Sequence, residues 1–335
     1  MRVELRRSVL RFAEPITTSY GELRTRELLL LTLTGADGVR GRGEAAPLEP
    51  YDGVPLEHVH AALEAYRPLL ISGDGSSGGE LLEACRTRAD LPQALAAVDV
   101  ALWDLAGRRA GRPVCELLAD DPAEEIEVSA TVSARSSRAA ADAASAAVCA
   151  GYRCVKLKVG IGDDAGRVAA VRAAIGSDVD LRLDANGSWS VEEAIRIISE
   201  LEAQKLELVE EPVHGVEAMR AVRAQVATRL AVDETASIPG ASAAADAVCL
   251  KVASCGGISA LLAAAELARS AGTEVYLGSS FDGPVGIAAA LHAAAALAPL
   301  PRCGLATLEL LERPDHRLRV HGGAIAVPQG PGLGL

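Results

Sequence analysis

Residues 154–159 (CVKLKV) form a short apolar run that carries two lysines, and runs of this kind decide how the chain is expected to fold. Similar apolar runs recur downstream and are separated by alanine-rich segments with helical periodicity. Strands that alternate with helices form parallel βαβ units, and eight such units close into a barrel. The predicted strands are 127–132, 154–159, 179–184, 206–210, 230–233, 247–251, 274–278 and, more weakly, 302–306.

The predicted fold class is therefore α/β: a TIM-like (β/α)7–8 barrel with an α+β capping domain. Residues 1–125 are assigned to the cap, residues 126–307 to the barrel, and the tail 308–335 is expected to complete the cap. A doubly wound open sheet is the alternative, although the dinucleotide fingerprint G-x-G-x-x-G is absent. Within the cap, the patterns predict strands 27–34 and 39–44 and helices 57–70, 79–87 and 92–107.

Charged residues stand at the carboxyl ends of consecutive predicted barrel strands. Strands of a parallel barrel are buried on both faces, so ordinary positions in them are aliphatic. The charged positions recur about one βα unit apart and therefore reach the same rim, where barrel enzymes place their chemistry. They are Lys156 and Lys158, Arg182 and Asp184, Glu210, Asp233 and Lys251.

Three of these residues, Asp184, Glu210 and Asp233, are carboxylates on neighbouring strands. Carboxylates that converge in a partly buried site cannot all stay ionised without a cation. Ligation by oxygen suits Mg²⁺, with Mn²⁺ also possible, whereas Zn²⁺ usually recruits His or Cys. A single charge of this kind is more often a helix cap or a solvated rim residue, but the whole series in register favours a metal-dependent site.

Lys158 and Lys251 are expected to flank this metal from opposite sides of the barrel. An ammonium beside another ammonium and a divalent cation has its pKa lowered and can serve as a base near neutral pH. The metal would stabilise the enediolate formed when a proton leaves the carbon next to a carboxylate. The sequence therefore predicts proton abstraction from a small carboxylate substrate.

The chain resembles the muconate-lactonizing branch of the enolase superfamily over essentially its whole length. The likeness is carried by segments 155–160 (VKLKVG), 183–186 (LDAN), 209–212 (VEEP), 232–235 (VDET) and 251–258 (KVASCGGI). It implies that Asp184, Glu210 and Asp233 are metal ligands and that Lys158 and Lys251 are catalytic. The residues expected to bind substrate or support the site are Lys156, Arg182, Asn186, Glu211, Glu234, Ser279, Ser280 and Asp282.

Within this branch, segments 43–48 (GEAAPL) and 304–310 (GLATLEL) resemble the o-succinylbenzoate synthases. This likeness implies a lyase of menaquinone biosynthesis that dehydrates its substrate through an enediolate. Asp282 and Ala306 depart from the synthase pattern and leave the substrate in doubt. Specificity is expected to depend on loops 15–26, 48–55 and 279–284.

Three alternatives stay open. An N-succinylamino acid racemase or a dipeptide epimerase of the same branch begins with the same proton abstraction. Dipeptide epimerases carry an Asp-x-Asp pair near the eighth strand, and segment 302–307 (RCGLAT) lacks it. A paralogue that only binds a ligand is the alternative of another class, but an unused cluster of charges would only cost stability.

The composition excludes several classes of partner. The 335 residues include 33 basic and 45 acidic side chains, and the net charge of −12 argues against nucleic acid. No apolar run has the length of a membrane span, and the first residues lack the apolar core of a signal peptide. Seven scattered cysteines without a C-x-x-C pair indicate reduced thiols, so a cytoplasmic location is expected. A homo-oligomer is possible.

Overall fold

The computed structural model describes residues 1–18 and 21–335, and these residues form three β-sheets surrounded by helices. Positions 19 and 20 belong to the first of the expected specificity loops, 15–26, and lie outside the described residues. In the described part of the chain, no helix combines the length and the hydrophobicity needed to cross a membrane.

The N-terminal region, called the cap below, packs helices against a three-stranded antiparallel sheet. The central strand buries alternate residues such as Leu29, Leu31 and Leu33 under these helices, as expected for a sheet with one covered face. The cap comprises β1 (Arg2–Thr18), β2 (Gly21–Thr34), β3 (Arg40–Ala45), α1 (Glu49–Asp52), α2 (Leu56–Ser72), α3 (Gly78–Arg88), α4 (Pro92–Ala110) and α5 (Val114–Leu118).

Helix α4 lies directly on β3, because Gly41 and Gly43 present no side chain to it. A Cβ atom at Gly43 would lie 1.8 Å from the carbonyl oxygen of Ala97, and one at Gly41 would lie 2.1 Å from that of Ala101. These contacts fix the end of β3, from which the chain continues through α1 towards the barrel.

The sequence patterns found β2, β3 and helices α2 to α4, but they did not predict β1. Most residues of β1 are exposed, and its charged sequence (RVELRRSVL) lacks the apolar run used to recognise strands. Backbone pairing with β2 holds β1 in place, in a register that runs from Arg2 opposite Thr34 to Arg11 opposite Thr25.

The remainder of the chain is built on a parallel sheet in which each strand lies beside its predecessor in sequence. Its strands are β5 (Ala130–Val132), β6 (Cys154–Lys158), β7 (Asp180–Asp184), β8 (Leu208–Glu210), β9 (Leu230–Val232), β10 (Ala247–Leu250) and β11 (Glu274–Leu277). The helices of this region are α6 (Ser137–Cys149), α7 (Asp164–Ile175), α8 (Val191–Glu200), α9 (Val216–Arg223), α10 (Val252–Cys255), α11 (Ile258–Ser270) and α12 (Pro284–Leu297).

The eighth predicted strand, 302–306, is not a strand in the described residues, so this sheet has seven strands. Instead, Cys303 makes an isolated parallel bridge to Val128, and Gly304 makes another to Gly278 at the end of β11. The glycine weakens any strand tendency of this short segment. The segment therefore contacts both edges of the sheet through single bridges rather than through a ladder.

The C-terminal tail returns towards the cap. Its strands, β12 (Val320–His321) and β13 (Ala324–Ala326), form a small antiparallel sheet with β4 (Glu125–Glu127). Farther on, the Leu333 amide donates to Asp104 of α4 at 2.8 Å. The tail thus contacts the cap directly, although the boundaries drawn from the sequence stay predictions.

Candidate active site

The register of the parallel strands brings the predicted charged residues to one level. Lys158 on β6 is paired with Asp184 on β7, which in turn is paired with Glu210 on β8. Asp233 directly follows β9, and Lys251 directly follows β10. All of these side chains are buried. The structure thus gathers them at the carboxyl rim of the sheet.

At one end of the rim, two lysines share the carboxylates of β7 and β8. Lys156 Nζ lies 2.8 Å from Asp184 Oδ2 and 2.7 Å from Glu210 Oε1. Lys158 Nζ donates to Asp184 Oδ2 at 2.5 Å and to Asn186 Oδ1 at 2.9 Å. The expected supporting role of Lys156 therefore has a physical basis, because its ammonium joins the two carboxylates.

At the other end, Lys251 Nζ donates to Asp233 Oδ2 at 2.6 Å and to the hydroxyl of Tyr51 at 2.7 Å. Tyr51 belongs to the cap, and its hydroxyl donates to Asp233 Oδ1 at 2.8 Å. Burial, together with the charge of Asp233, raises the pKa of Tyr51, so the phenol keeps its proton and remains a donor. Sequence reasoning singled out loop 48–55 but not this residue, since no spacing pattern marks it.

The buried carboxylates differ in their tendency to ionise. Burial raises the pKa of Glu210, Lys156 opposes this effect, and the negative charges of Asp184 and Asp233 bring the pKa to about 7. Burial also acts to raise the pKa of Asp184, but Lys156 and Lys158 outweigh it and hold that pKa well below its usual range. A buried carboxyl group that titrates near neutrality marks a place where additional positive charge would be favourable.

The donor set fits a hard divalent cation. Glu210, Asp233 and Cys249 offer possible ligand atoms within 4.8 Å of one another, and the ammonium of Lys156 joins Glu210 to Asp184. Burial and the adjacent carboxylates raise the pKa of the Cys249 thiol well above its ordinary value, so the oxygen atoms are the ready ligands. Oxygen ligation is what Mg²⁺ prefers.

The basicity of the lysines depends on that cation. Burial acts to lower the pKa of Lys251, but the charge of Asp233 outweighs burial and raises the pKa well above its ordinary value. Asp184 and Glu210 have the same effect on Lys156. The lowered pKa that the sequence predicts for Lys251 therefore requires a divalent cation that draws the carboxylate charge away.

Two family descriptions together match nearly the whole chain. Residues 2–119 match the mandelate racemase / muconate lactonizing enzyme N-terminal domain, and residues 138–335 match the enolase C-terminal domain-like family. The chain belongs to the enolase superfamily. Its place is the mandelate racemase/muconate lactonizing enzyme branch, in agreement with the resemblance seen in the sequence.

Relatives in this superfamily include epimerases and racemases. An L-Ala-D/L-Glu epimerase of Clostridium acetobutylicum is 32% identical over 342 residues, which cover 96% of this chain and 94% of the relative. The dipeptide epimerase of Enterococcus faecalis, crystallised with Mg and L-Leu-L-Tyr, superposes with a TM-score of 0.92 at 28% identity, covering 99% of this chain and 98% of that one. The N-succinyl Arg/Lys racemase of Bacillus cereus gives 0.94 at 25% identity, covering 99% and 94%.

The o-succinylbenzoate synthase likeness is narrower than the sequence segments implied. The synthase of Thermobifida fusca is 42% identical over 172 residues, but this covers 48% of the present chain and 53% of the synthase. The matches that establish membership of the superfamily, and with it an enzymatic function, extend over most of the chain. The match to the synthase covers only about half of it.

In this superfamily member, the polar residues that follow the strands hold the rim in place. Asn186 accepts from Lys158 and donates to Glu234 Oε1 at 2.8 Å. Glu211 accepts from the backbone amide of Asp233 at 2.8 Å and from that of Thr235 at 3.0 Å. Asn186 and Glu211 both have positive φ, 46° and 41°, as sharp turns at strand ends require. These contacts fit the supporting roles expected from the sequence.

Arg182 lies one step below the rim and is occupied by an ion pair. Its Nε and Nη2 atoms donate to Glu207 at 2.6 and 2.8 Å, and Nη1 donates to the Arg302 carbonyl at 2.6 Å. Strand alternation points Arg182 to the same side as Asp184, but two residues earlier in the strand. Arg182 also lines the cavity above the rim, at the level of its register partner Lys156. Its contacts support the strands beneath the site, and its expected substrate-binding or supporting role stays a prediction.

Residues 279–282 divide between the cavity and the cap. Ser279 and Ser280 line a cavity of about 40 Å³ above the rim, and Ser279 Oγ lies 2.7 Å from Thr307 Oγ1. Asp282 does not line this cavity. It is buried beside Glu44 of β3, where both carboxyl groups approach Gly286. Asp282 therefore lies at the interface with the cap, where it accepts from the Ser280 amide, and its expected substrate-binding or supporting role stays a prediction.

Sequence reasoning also missed Tyr276 and Cys249, which lie opposite each other on β11 and β10. The Tyr276 hydroxyl donates to Glu210 Oε2 at 2.7 Å, and its ring packs 4.9 Å from the Arg182 guanidinium. A polar atom at an inward position of a buried strand was the available signal for both residues. The bond from β11 to β8 also shows that the sheet curls around the cluster.

Proposed function

We propose that this enzyme moves a proton from one face of a carbon to the other, and so racemises or epimerises the carbon next to a substrate carboxylate. The observation that carries the proposal is the placement of Lys158 and Lys251. Each lysine contacts a different carboxylate, Asp184 or Asp233, at opposite ends of one buried cluster. A substrate carbon between them would meet an amine on each face.

In this reaction Lys158 accepts the α-proton and Lys251 delivers a proton to the opposite face; the roles reverse for the other enantiomer. Asp184 and Asn186 orient the Lys158 amine. Asp184, Glu210 and Asp233 would hold Mg²⁺. When bound, the cation supplies the positive charge that stabilises the anion left on the substrate carboxylate. Burial of the cluster keeps water away from that anion.

We further propose that the substrate is an amino acid with an acylated amino group. Among the described residues that line the cavity, the one carboxylate is Asp233, and it is already bonded to Lys251 and Tyr51. The segment that bridges β11 offers Gly304 and Thr307 to the cavity rather than acidic side chains. A free ammonium would meet no unpaired carboxylate in this small cavity, whereas a neutral amide would not need one. The adjoining cavity of about 590 Å³, which shares Tyr51, Asp233 and Lys251, also presents Asp52 and Glu234.

Dehydration of the o-succinylbenzoate synthase type is the second candidate, favoured by the 42% identity over half the chain. It uses the same abstraction by Lys158, after which the protonated Lys158 returns the proton to the departing hydroxyl group and water leaves. Lys251 would then stabilise the anion without transferring a proton.

Proton NMR in D₂O with Mg²⁺ separates these reactions. The purified protein is offered N-succinylamino acids and, separately, the cyclohexadiene precursor of o-succinylbenzoate. We expect α-deuteration and loss of optical activity in the amino acids, with inversion abolished in Lys251→Ala. Aromatisation of the cyclohexadiene without amino-acid exchange would instead establish the dehydratase. No reaction of either substrate would overturn the acylated amino acid and the cyclohexadiene as substrates.

A further inference from the structure

We propose that Tyr51 is a positioning residue for Lys251, so that proton transfer on one face of the substrate depends on the cap and transfer on the other face does not. This inference rests on the proposed two-lysine reaction. It adds a residue that no sequence motif marks and assigns the cap a part in the stereochemistry of the reaction.

Tyr51 makes three contacts with two rim residues. Its hydroxyl accepts from Lys251 Nζ at 2.7 Å and donates to Asp233 Oδ1 at 2.8 Å. The same Nζ stands 3.9 Å from the centre of the phenol ring, within the range of a cation–π interaction. Together, the hydroxyl and the ring leave the ammonium little freedom to swing away from the site.

Lys158 is held differently. Its described hydrogen-bond partners are Asp184, at the end of β7, and Asn186, in the turn that follows. Both belong to the rim of the parallel sheet, and in the described part of the chain no cap residue donates to or accepts from this amine. The two amines that face the substrate are therefore positioned by different parts of the molecule.

The turn that presents Tyr51 is built from its own hydrogen bonds. The Tyr51 amide donates to the Leu48 carbonyl at 2.7 Å. The Asp52 carboxylate accepts from the amides of Leu48 at 3.1 Å and Val54 at 2.9 Å, and from Gln93 Nε2 of α4 at 3.1 Å. This network fixes the phenol independently of the barrel, which is what a positioning residue requires.

The contact gains importance when a cation is bound. Asp233 is an expected metal ligand, and a carboxylate that shares its electrons with a cation holds an ammonium less strongly. The hydroxyl and ring of Tyr51 are then the contacts that keep Lys251 aligned. Loss of the phenol hydroxyl should therefore affect the Lys251 face selectively.

Tyr51→Phe tests this selectivity, with Tyr66→Phe as the matched control. Tyr66 lies in α2 of the cap and donates to the Ala89 carbonyl, so the control removes the same hydroxyl away from the site. Deuterium incorporation into each enantiomer of an N-succinylamino acid is followed in D₂O. In Tyr51→Phe we expect inversion, which needs Lys251, to slow about 10-fold, while exchange with retention at Lys158 changes less than about 2-fold.

An equal fall at both faces would overturn the proposal, because Tyr51 would then support the site as a whole, and so would unchanged inversion. A second measurement does not depend on turnover. The lysines of the sequence are Lys156, Lys158, Lys205 and Lys251, so a protein labelled with ¹³C at the lysine ε-carbon gives a simple NMR spectrum that Lys→Arg variants assign.

In that spectrum we expect Tyr51→Leu, which removes the ring and the hydroxyl, to shift the Lys251 signal and leave the Lys158 signal in place. A Lys251 signal that does not move would overturn the positioning role even if the protein proved to be a racemase. A shifted Lys251 signal in a protein without exchange activity would leave the contact standing and refute the proposed reaction alone.

Discussion

Strand β7 contributes to two buried ionic clusters, to the lower one through Arg182 and to the upper one, two residues later, through Asp184. The two clusters differ in how well their positive and negative charges balance. The lower group pairs Arg182 with Glu207 through two hydrogen bonds. Burial acts to raise the pKa of Glu207, but Arg182 outweighs it and lowers the pKa, so both partners are ionised. In the upper group, Glu210 has its pKa raised to about 7 by burial and by the adjacent carboxylates.

The difference distinguishes a structural ion pair from a site prepared for a ligand. A matched, bidentate pair satisfies its own charges and contributes to the strand framework. A group of carboxylates that lowers its energy by binding a proton, a lysine or a cation retains an affinity for such partners. Four experiments test this contrast, from the largest expected effect to the smallest.

Substitution in the upper group should remove the chemistry. Lys158→Ala takes away the proposed base, and α-proton exchange should fall by about 10²–10⁴-fold, the usual contribution of a general base. Exchange is measured by proton NMR in D₂O with Mg²⁺. Lys205→Ala is the control, because Lys205 is exposed and lies outside the site. Turnover close to wild type in Lys158→Ala would refute the assignment.

Substitution in the lower group should instead cost stability. Arg182→Met leaves the Glu207 carboxylate without its partner, and removal of one member of a buried pair costs about 3–5 kcal/mol. Urea unfolding gives the change in the free energy of unfolding. Arg196→Met, which breaks an exposed pair with Glu200, should cost less than about 1 kcal/mol. Equal decreases in the free energy of unfolding for the two variants would show that the buried Arg182 pair stabilises the fold no more than an exposed pair does.

The two glutamates should give stability changes of opposite sign with pH. The folded-state pKa of Glu210 is raised to about 7, so without metal its ionisation destabilises the fold as pH rises from about 4.5, the unfolded value, through 7. Glu210→Gln should therefore exceed wild type in stability by about 3 kcal/mol at pH 8 and by little at pH 4.5.

The pKa of Glu207 is lowered, so its stabilising contribution is present above the unfolded value and is lost as pH falls below it. Glu207→Gln should accordingly be less stable than wild type at pH 7, with the difference shrinking in acid. Urea unfolding in EDTA across pH measures both variants. Differences from wild type of the same sign at pH 8 would contradict the contrast between the two groups.

Magnesium should stabilise the protein through the upper group alone. At about 100 times its Kd, a ligand specific for the native state adds about 2.7 kcal/mol to the free energy of unfolding. Glu210→Gln should lose this increment, and Glu207→Gln should keep it. Thermal unfolding with and without MgCl₂ provides the measurement; an increment that persists in Glu210→Gln would place the cation elsewhere.

The part of this architecture that the sequence predicts well is local. Charged residues such as Asp184 and Glu210 stand out at the ends of apolar runs. The regular spacing of these runs predicts that the charged residues lie at the same level of the sheet. The structure of the segment around Gly304 could not be predicted in this way, because residues that make only single bridges have no recognisable strand pattern. Strand β1 was missed for the related reason that backbone pairing, rather than burial, holds it.

Contacts between segments that are distant along the chain could not be predicted from the sequence. Tyr51 meets Lys251 across 200 residues of chain, and only the packing of the cap on the barrel brings them together. The partner of Arg182 was also not predictable. Its position in the strand pattern matches that of the rim residues, but it pairs with Glu207, which precedes β8. Periodicity identifies which residues share a face, but the partner of each charge depends on its height along the strand.

The distribution of lysines has a practical consequence. Lys156, Lys158 and Lys251 are enclosed in the ionic cluster, whereas Lys205 is exposed just before β8, at the amino end of the sheet. Reagents that acylate lysine amines therefore reach Lys205 first and on the side of the molecule away from the rim. Coupling through that side chain would attach the enzyme to a support by the amino end of the sheet, on the side away from the rim.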